Sequence, residues 1–362
     1  MNIAVFLGHP AHFHLFKNVI DNLINKKLNV FIVIKKKDIL ETLVKDAGLD
    51  YTVIREGRSN SKIGLVKSVL HMELEMIKFI RKNKINLLIG STLSFAARKV
   101  SGVHVLVTGE DDADVVPMYA KMVYPFASEV ITPEVCNNGK YENKSLKYNS
   151  YHELAYLHPN HFAPNKKTVE KYFSADKNYF ILRFAKLNAH HDSGIQGINT
   201  VIAQRLIDLL KPHGDVYITS ERELEPQFEP YRIQINPLDM HHVMAFAQLY
   251  LGDSQTMAAE AGVLGVPFVR FNDFVGRIGY LRELEEVYKL GFGIKTNEVD
   301  KLYKTVQELL VMPDRKEIFQ QRRTQMLTEK IDYAKFLTWF IDNYPESKRI
   351  MQENPDYQYK FR

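Results

Sequence analysis

Leu251-Gly252-Asp253-Ser254-Gln255-Thr256-Met257-Ala258-Ala259-Glu260-Ala261-Gly262-Val263-Leu264-Gly265-Val266-Pro267 is the stretch on which the fold turns. It reads as the end of a strand, a tight loop, a short helix stopped by glycine, and a new strand opening at Val266-Pro267. Asp253 and Ser254 are good N-cap residues, and the small Ala258, Ala259 and Ala261 let the helix lie close to a sheet. Strand, close-packed helix, strand is the repeating unit of a parallel sheet covered by helices.

The same alternation runs outward in both directions. Towards the amino terminus the strand candidates are Asn2–Leu7, Val30–Ile34, Tyr51–Ile54, Leu87–Gly90, Val103–Val107 and Glu129–Ile131, with a helical stripe over Leu65–Arg81. From Cys136 to His152 the chain turns polar and rich in turn residues, the composition of a linker. The pattern restarts at Tyr179–Phe184 and continues through Asp215–Thr219, Leu249–Gly252 and Val266–Phe271. Tyr333, Phe336, Leu337, Phe340, Ile341 and Tyr344 then spell a helix with one apolar face, which reads as packing. The expected architecture is α/β: two Rossmann-like lobes with parallel sheets facing a cleft. Their expected bounds are residues 1–140 and 141–330, followed by a packing helix and tail over 331–362.

Composition narrows the function. The chain has 362 residues, 45% of them apolar and 25% charged, which suits a folded globular protein. Its net charge of +5 is too dilute for a polyanion-binding surface, so nucleic acid is not an expected partner. One cysteine, Cys136, excludes a disulfide framework and a multi-cysteine zinc site. No apolar run reaches the ~20 residues that span a bilayer, and Met1–Gly8 reads as a buried strand rather than a leader. The expected location is the cytoplasm.

Four segments could carry chemistry. The helix opening at Ser254 offers free N–H groups, a positive dipole end and the Ser254 and Thr256 hydroxyls, all suited to a phosphate or diphosphate. Glu260 follows one turn after Thr256 on the same face, where it can accept from two ribose hydroxyls; capping, packing and salt-bridging are the bland alternatives. The first βα loop holds His9, His12 and His14, which are either caps and solvated side chains or a general base. Arg183 and Lys186 can neutralise a diphosphate, and His190 or His191 can project into the cleft. Glu110-Asp111-Asp112-Ala113-Asp114 is either an acidic helix start or a set of acid/base carboxylates or a cation site. Lys35-Lys36-Lys37 and the Arg315–Arg323 segment read first as solvated charge, with peripheral membrane contact through anionic lipid as the alternative.

Taken together, Gly8-His9-Pro10-Ala11-His12, Glu153-Leu154-Ala155-Tyr156-Leu157-His158-Pro159, Ala189-His190-His191-Asp192, Gly252-Asp253-Ser254 and Phe274-Val275-Gly276-Arg277 resemble the domain-of-unknown-function 354 family. That family is similar to the GT-B superfamily of nucleotide-sugar glycosyltransferases and UDP-N-acetylglucosamine 2-epimerases. The resemblance implies a donor nucleotide on the second lobe. In the epimerases an Asp-Ser-Gly-Gly segment, with a glutamate six residues after the serine, holds the UDP phosphates and ribose. Ser254 and Glu260 keep that spacing, while Gln255 and Thr256 stand in place of the glycines. The epimerase His-Arg-x-Glu-Asn loop has a counterpart in His190-His191-Asp192, without the arginine, and Glu110 lies near an epimerase carboxylate.

The leading expectation is therefore a metal-independent transferase that moves a glycosyl group from a UDP-sugar to a glycan or lipid-linked acceptor. Arg183, Lys186, Ser254, Gln255 and Thr256 would hold the diphosphate and Glu260 the ribose, with no cofactor. His9, His12, His14 or Glu110 would act as base. The rivals are a 2-epimerase using Glu110 and His190, a metal-dependent hydrolase on His12, His14, His190, His191 and Asp112, and a non-catalytic sugar-nucleotide-binding protein.

Overall fold

The structure, a computed structural model, describes residues 1–35, 39–54, 62–90, 98, 102–185 and 197–362, with the backbone alone over 62–66. The chain divides into two compact units, Met1–Tyr156 with Lys330–Arg362, and Leu157–Glu329. The division falls later than residue 140, and 331–362 belongs to the first unit rather than standing apart.

The first unit is built on a seven-stranded parallel sheet. Its strands are β1 (Asn2–Leu7), β2 (Asn29–Lys35), β3 (Tyr51–Ile54), β4 (Leu87–Ile89), β5 (His104–Thr108), β6 (Glu129–Pro133) and β7 (Ser145–Tyr148), in the order β3-β2-β1-β4-β5-β6-β7. Side chains alternate across a strand, so β1 supplies both faces. Ile3, Val5 and Leu7 pack with Phe13, Phe16 and Ile20 of the Pro10–Asn25 helix. Ala4 and Phe6 pack with Met72, Met76 and Ile80 of the Lys62–Lys82 helix and with Ala120 and Val123 of the Pro117–Val123 helix. The first cluster is completed from the far end of the chain: Tyr333, Phe336, Leu337, Phe340 and Ile341 of the Tyr333–Asp342 helix are all fully buried in it.

The polar stretch expected as a linker contains β7. Leu146 and Tyr148 turn inward and Ser145 and Lys147 outward, the alternation of an edge strand whose outer positions stay wet. Lys147 Nζ donates to the Cys136 carbonyl (2.5 Å), which ties this edge back to the turn after β6.

The second unit carries a five-stranded parallel sheet of β8 (Tyr179–Phe184), β9 (Asp215–Ser220), β10 (Leu249–Gly252), β11 (Phe268–Phe271) and β12 (Gly291–Ile294), in the order β12-β11-β10-β8-β9. Among the described residues no helix is long and apolar enough to cross a membrane. The arginines of the Arg315–Glu329 helix hold carbonyl groups. Arg323 Nε donates to Val263 O (2.8 Å), Arg322 Nη1 to Lys289 O (2.7 Å) and Arg315 Nη1 to Leu309 O. These guanidinium groups satisfy carbonyl groups at and near helix ends within the fold. Lys36 and Lys37 lie outside the described residues.

Candidate functional site

In the second unit the chain leaves β8 for β9 on one side and then crosses to β10 on the other. Strand order reverses between β8 and β10, and the carboxyl ends of strands at such a point are the usual ligand position in α/β sheets. There Gly252 ends β10 directly across from Arg183 of β8. A Cβ on Gly252 would stand 2.6 Å from the Tyr250 hydroxyl oxygen and 2.9 Å from the Arg183 carbonyl oxygen, so only glycine fits. Ser254 is extended (φ −82°, ψ 132°) and the Gln255–Val263 helix begins after it. Ser254, Gln255, Thr256 and Met257 are partly exposed, whereas Ala258 to Val263 are buried. The amino end of the helix is thus reachable while its body is packed.

Asp253 does not cap this helix. It is 1% exposed, and its carboxylate accepts from the backbone N–H of Ala185 (2.6 Å) and of Ile198 (3.3 Å). Burial pushes its pKa up to about 6, opposed by those two N–H groups and by the Arg222 charge. Asn272 braces the same loop, donating from Nδ2 to Asp253 O (3.0 Å) while its Oδ1 accepts from Phe274 N (3.0 Å). Behind it the fully buried Arg270 donates from Nε and Nη2 to Glu285 Oε1 (3.0 and 2.9 Å).

Arg183 stands where the sequence placed it, at the end of β8. Its Nη2 pairs with Glu221, and its buried Nε has no hydrogen-bond partner among the described residues. A buried donor without an acceptor is costly, which marks the position as one that a bound anion would satisfy. Glu260 is buried, and its Oε1 lies 2.9 Å from His241 Nε2. The expected ribose carboxylate therefore already has a protein partner, on the Met240–Ala245 helix, that sequence reasoning passed over. Lys186, His190, His191 and Asp192 lie outside the described residues.

In the first unit the histidines follow β1. His9 is the N-cap of the Pro10–Asn25 helix, its Nδ1 accepting from Ala11 N (3.2 Å), and His12 Nδ1 accepts from Gly8 N (3.2 Å). His14 packs its ring against Phe13 and Tyr156, each at 5.5 Å between centroids. Two of the three thus hold backbone N–H groups around the helix start, and the third packs on aromatic rings.

The acidic cluster behaves differently. Glu110 Oε2 lies 3.1 Å from His152 Nδ1, both largely buried, and the His152 ring stacks on Tyr333. His152 Nε2 is buried without a hydrogen-bond partner among the described residues. Next to this pair, burial drives the Asp111 carboxyl up to about 7, and the charges of Glu110 and Asp112 push the same way. Asp112 Oδ1 accepts from Asn137 N (2.9 Å), so that carboxylate holds a loop. Among the described residues no group of three or more His, Cys, Asp or Glu side chains is placed to hold a metal ion. His152 was hidden in the supposed linker. Its signal was the short alternation Ser145–Tyr148 just before it, which puts it past a strand's carboxyl end. The loops after β1 and β5 lie at the same sheet edge, two strand spacings or ~10 Å apart.

No curated protein matches the sequence. Among solved structures, a Listeria monocytogenes protein assigned as a UDP-N-acetylglucosamine 2-epimerase superposes with a TM-score of 0.67 at 13% identity, covering 96% of this chain and 97% of the other. A Neisseria meningitidis UDP-GlcNAc 2-epimerase bound to UDP-GlcNAc gives a TM-score of 0.59 at 14% identity over 90% and 100%. The spinosyn rhamnosyltransferase SpnG with thymidine diphosphate gives 0.62 at 11% identity over 95% and 100%. These likenesses show a shared α/β fold of the GT-B type. The family signature described as "Protein of unknown function (DUF354)" matches residues 1–335, so the chain belongs to the DUF354 family.

Proposed function

We propose that the protein is an enzyme that takes a UDP-sugar and transfers its glycosyl group to an acceptor hydroxyl on a glycan or lipid-linked sugar. One observation carries the reading: the reachable amino end of the Gln255–Val263 helix opens at the reversal point of the second sheet, with the unsatisfied Nε–H of Arg183 beside it. The diphosphate accepts from the first-turn N–H groups, from Arg183 and from the Ser254 and Thr256 hydroxyls. As the sugar C1–oxygen bond breaks, its electrons pass to the diphosphate, where the helix end and Arg183 stabilise the charge without a metal. Glu260, held by His241, takes the ribose hydroxyls. The acceptor oxygen attacks C1 as that bond breaks and gives its proton to a general base.

Isothermal calorimetry with UDP tests the donor site. Arg183→Gln and Glu260→Ala should each weaken UDP binding by about 10-fold or more, the loss of one or two buried hydrogen bonds. Wild-type affinity in both variants ends the assignment.

A second reading is 2-epimerisation, in which the same helix end would hold UDP while it is eliminated and re-added. Proton NMR of UDP-N-acetylglucosamine with the enzyme separates the two. Epimer or free UDP without an acceptor supports the epimerase, and turnover only after an acceptor is added supports the transferase.

A further inference from the structure

The helices Lys62–Lys82 and Pro117–Val123 cover one face of the first sheet, turning Met72, Met76, Ile80, Ala120 and Val123 inward. Their outward stripes are not what a water-facing helix needs. Leu70 and Leu74 are 55% and 57% exposed, and Met118 and Met122 are 63% and 53% exposed. Each pair is spaced i, i+4 and so lies on one side of its helix. Scattered exposed valines, such as Val201, Val287 and Val311 of the second unit, are ordinary; here an aligned apolar pair stands on the outer side of each of two helices that cover the same sheet face.

The charges around these pairs choose the occupant. Lys67, Lys78, Arg81 and Lys82 share the exposed side of the first helix, and Lys121 lies between the two methionines. Glu75 is neutralised by Lys78 at 2.8 Å, while Lys67, Arg81, Lys82 and Lys121 form no ion pair among the described residues. A second copy related by a two-fold axis would set this cationic face against itself. An anionic surface meets it with opposite charge.

We propose that this face seats the protein on an anionic lipid bilayer. Leu70, Leu74, Met118 and Met122 enter the boundary between headgroups and acyl chains, and the lysine stems reach back to the lipid phosphates. Each lysine or arginine adds attraction that salt screens, and the seat is reversible because a few shallow apolar side chains and screened charges hold it. The proposal does not depend on the nucleotide reading.

Flotation with vesicles tests it. The full chain should bind phosphatidylcholine vesicles carrying about one-third phosphatidylglycerol, release at high salt, and ignore pure phosphatidylcholine. Leu74→Ser with Met118→Ser, and separately Lys67→Glu with Lys121→Glu, should each lower binding by about 10-fold or more while circular dichroism and melting stay unchanged. Binding that is absent, equal on neutral vesicles, or untouched by both variants overturns the proposal. So does a dimer in light scattering that either variant dissolves, since the face would then belong to a second copy.

Discussion

A carboxyl group taken out of water holds its proton more tightly, and Asp111 shows the consequence for stability. Its folded pKa of about 7 lies above the unfolded value near 3.9, so the neutral form is the one the fold prefers. Its contribution is fully present below about pH 4 and is lost as the pH rises to about 7, on the order of 4 kcal/mol in all. Asp111→Asn cannot ionise. Urea unfolding at pH 5 and pH 8 should show the variant gaining on wild type by about 3 kcal/mol at the higher pH, and a pH-independent difference would remove the argument. Asp253, pushed up to about 6, adds a slope of the same sign in both proteins and so cancels in the comparison. At this scale the sequence was partly legible. Arg183 and Ser254 are legible as strand-end residues, because the apolar runs before them fix where β8 and β10 stop. His241 and His152 are not legible, because each is chosen by a carboxylate distant in sequence, 19 and 42 positions away. Asp253 was misread for a related reason: its type fits a cap, but the neighbouring strand's loop offers it two backbone donors.

Period and punctuation made most elements readable. β1, β8 and β10 fall on the residues expected, because apolar runs buried on both faces leave little freedom in their bounds, and the edge strand β3 also falls where expected. β7 and β12 were missed for different physical reasons. The first is a half-wet edge strand among turn residues; the second, Gly291–Ile294, has glycine at two of four positions. That glycine is demanded by packing, since a Cβ on Gly291 would stand 2.4 Å from the Phe268 ring. Gly252 matters more for the site. Gly252→Ala must push apart the ends of β10 and β8, and overpacking of this kind costs about 1–3 kcal/mol. The expected result is a lower melting temperature together with weaker UDP binding, because the helix end moves with the strand that feeds it. An unshifted melt would mean that Tyr250 and Arg183 yield freely.

At the scale of the molecule, the last residues are core rather than tail. Tyr333, Phe336, Leu337, Phe340 and Ile341 are fully buried in the first unit, and burying side chains of this size is worth about 1.5–3 kcal/mol each. Their sum rivals the entire stability of ordinary domains, about 5–15 kcal/mol. A chain ending at Glu329 should therefore lose the first unit: limited proteolysis should digest residues 1–156 while a fragment spanning Leu157–Glu329 survives. A resistant amino-terminal fragment would contradict this. The apolar stripe was plain in the sequence, but its address was not. Periodicity identifies a buried face without naming the sheet that buries it.

That address has a consequence for biogenesis. A protein leaves the ribosome amino end first, and domains ordinarily mature in that order. Here the inserted unit is complete once Glu329 has emerged, while the first unit still lacks Tyr333 and its neighbours. The nascent sheet of the first unit must wait with one face only partly covered, a natural client for chaperones, until the Tyr333–Asp342 helix arrives and completes it.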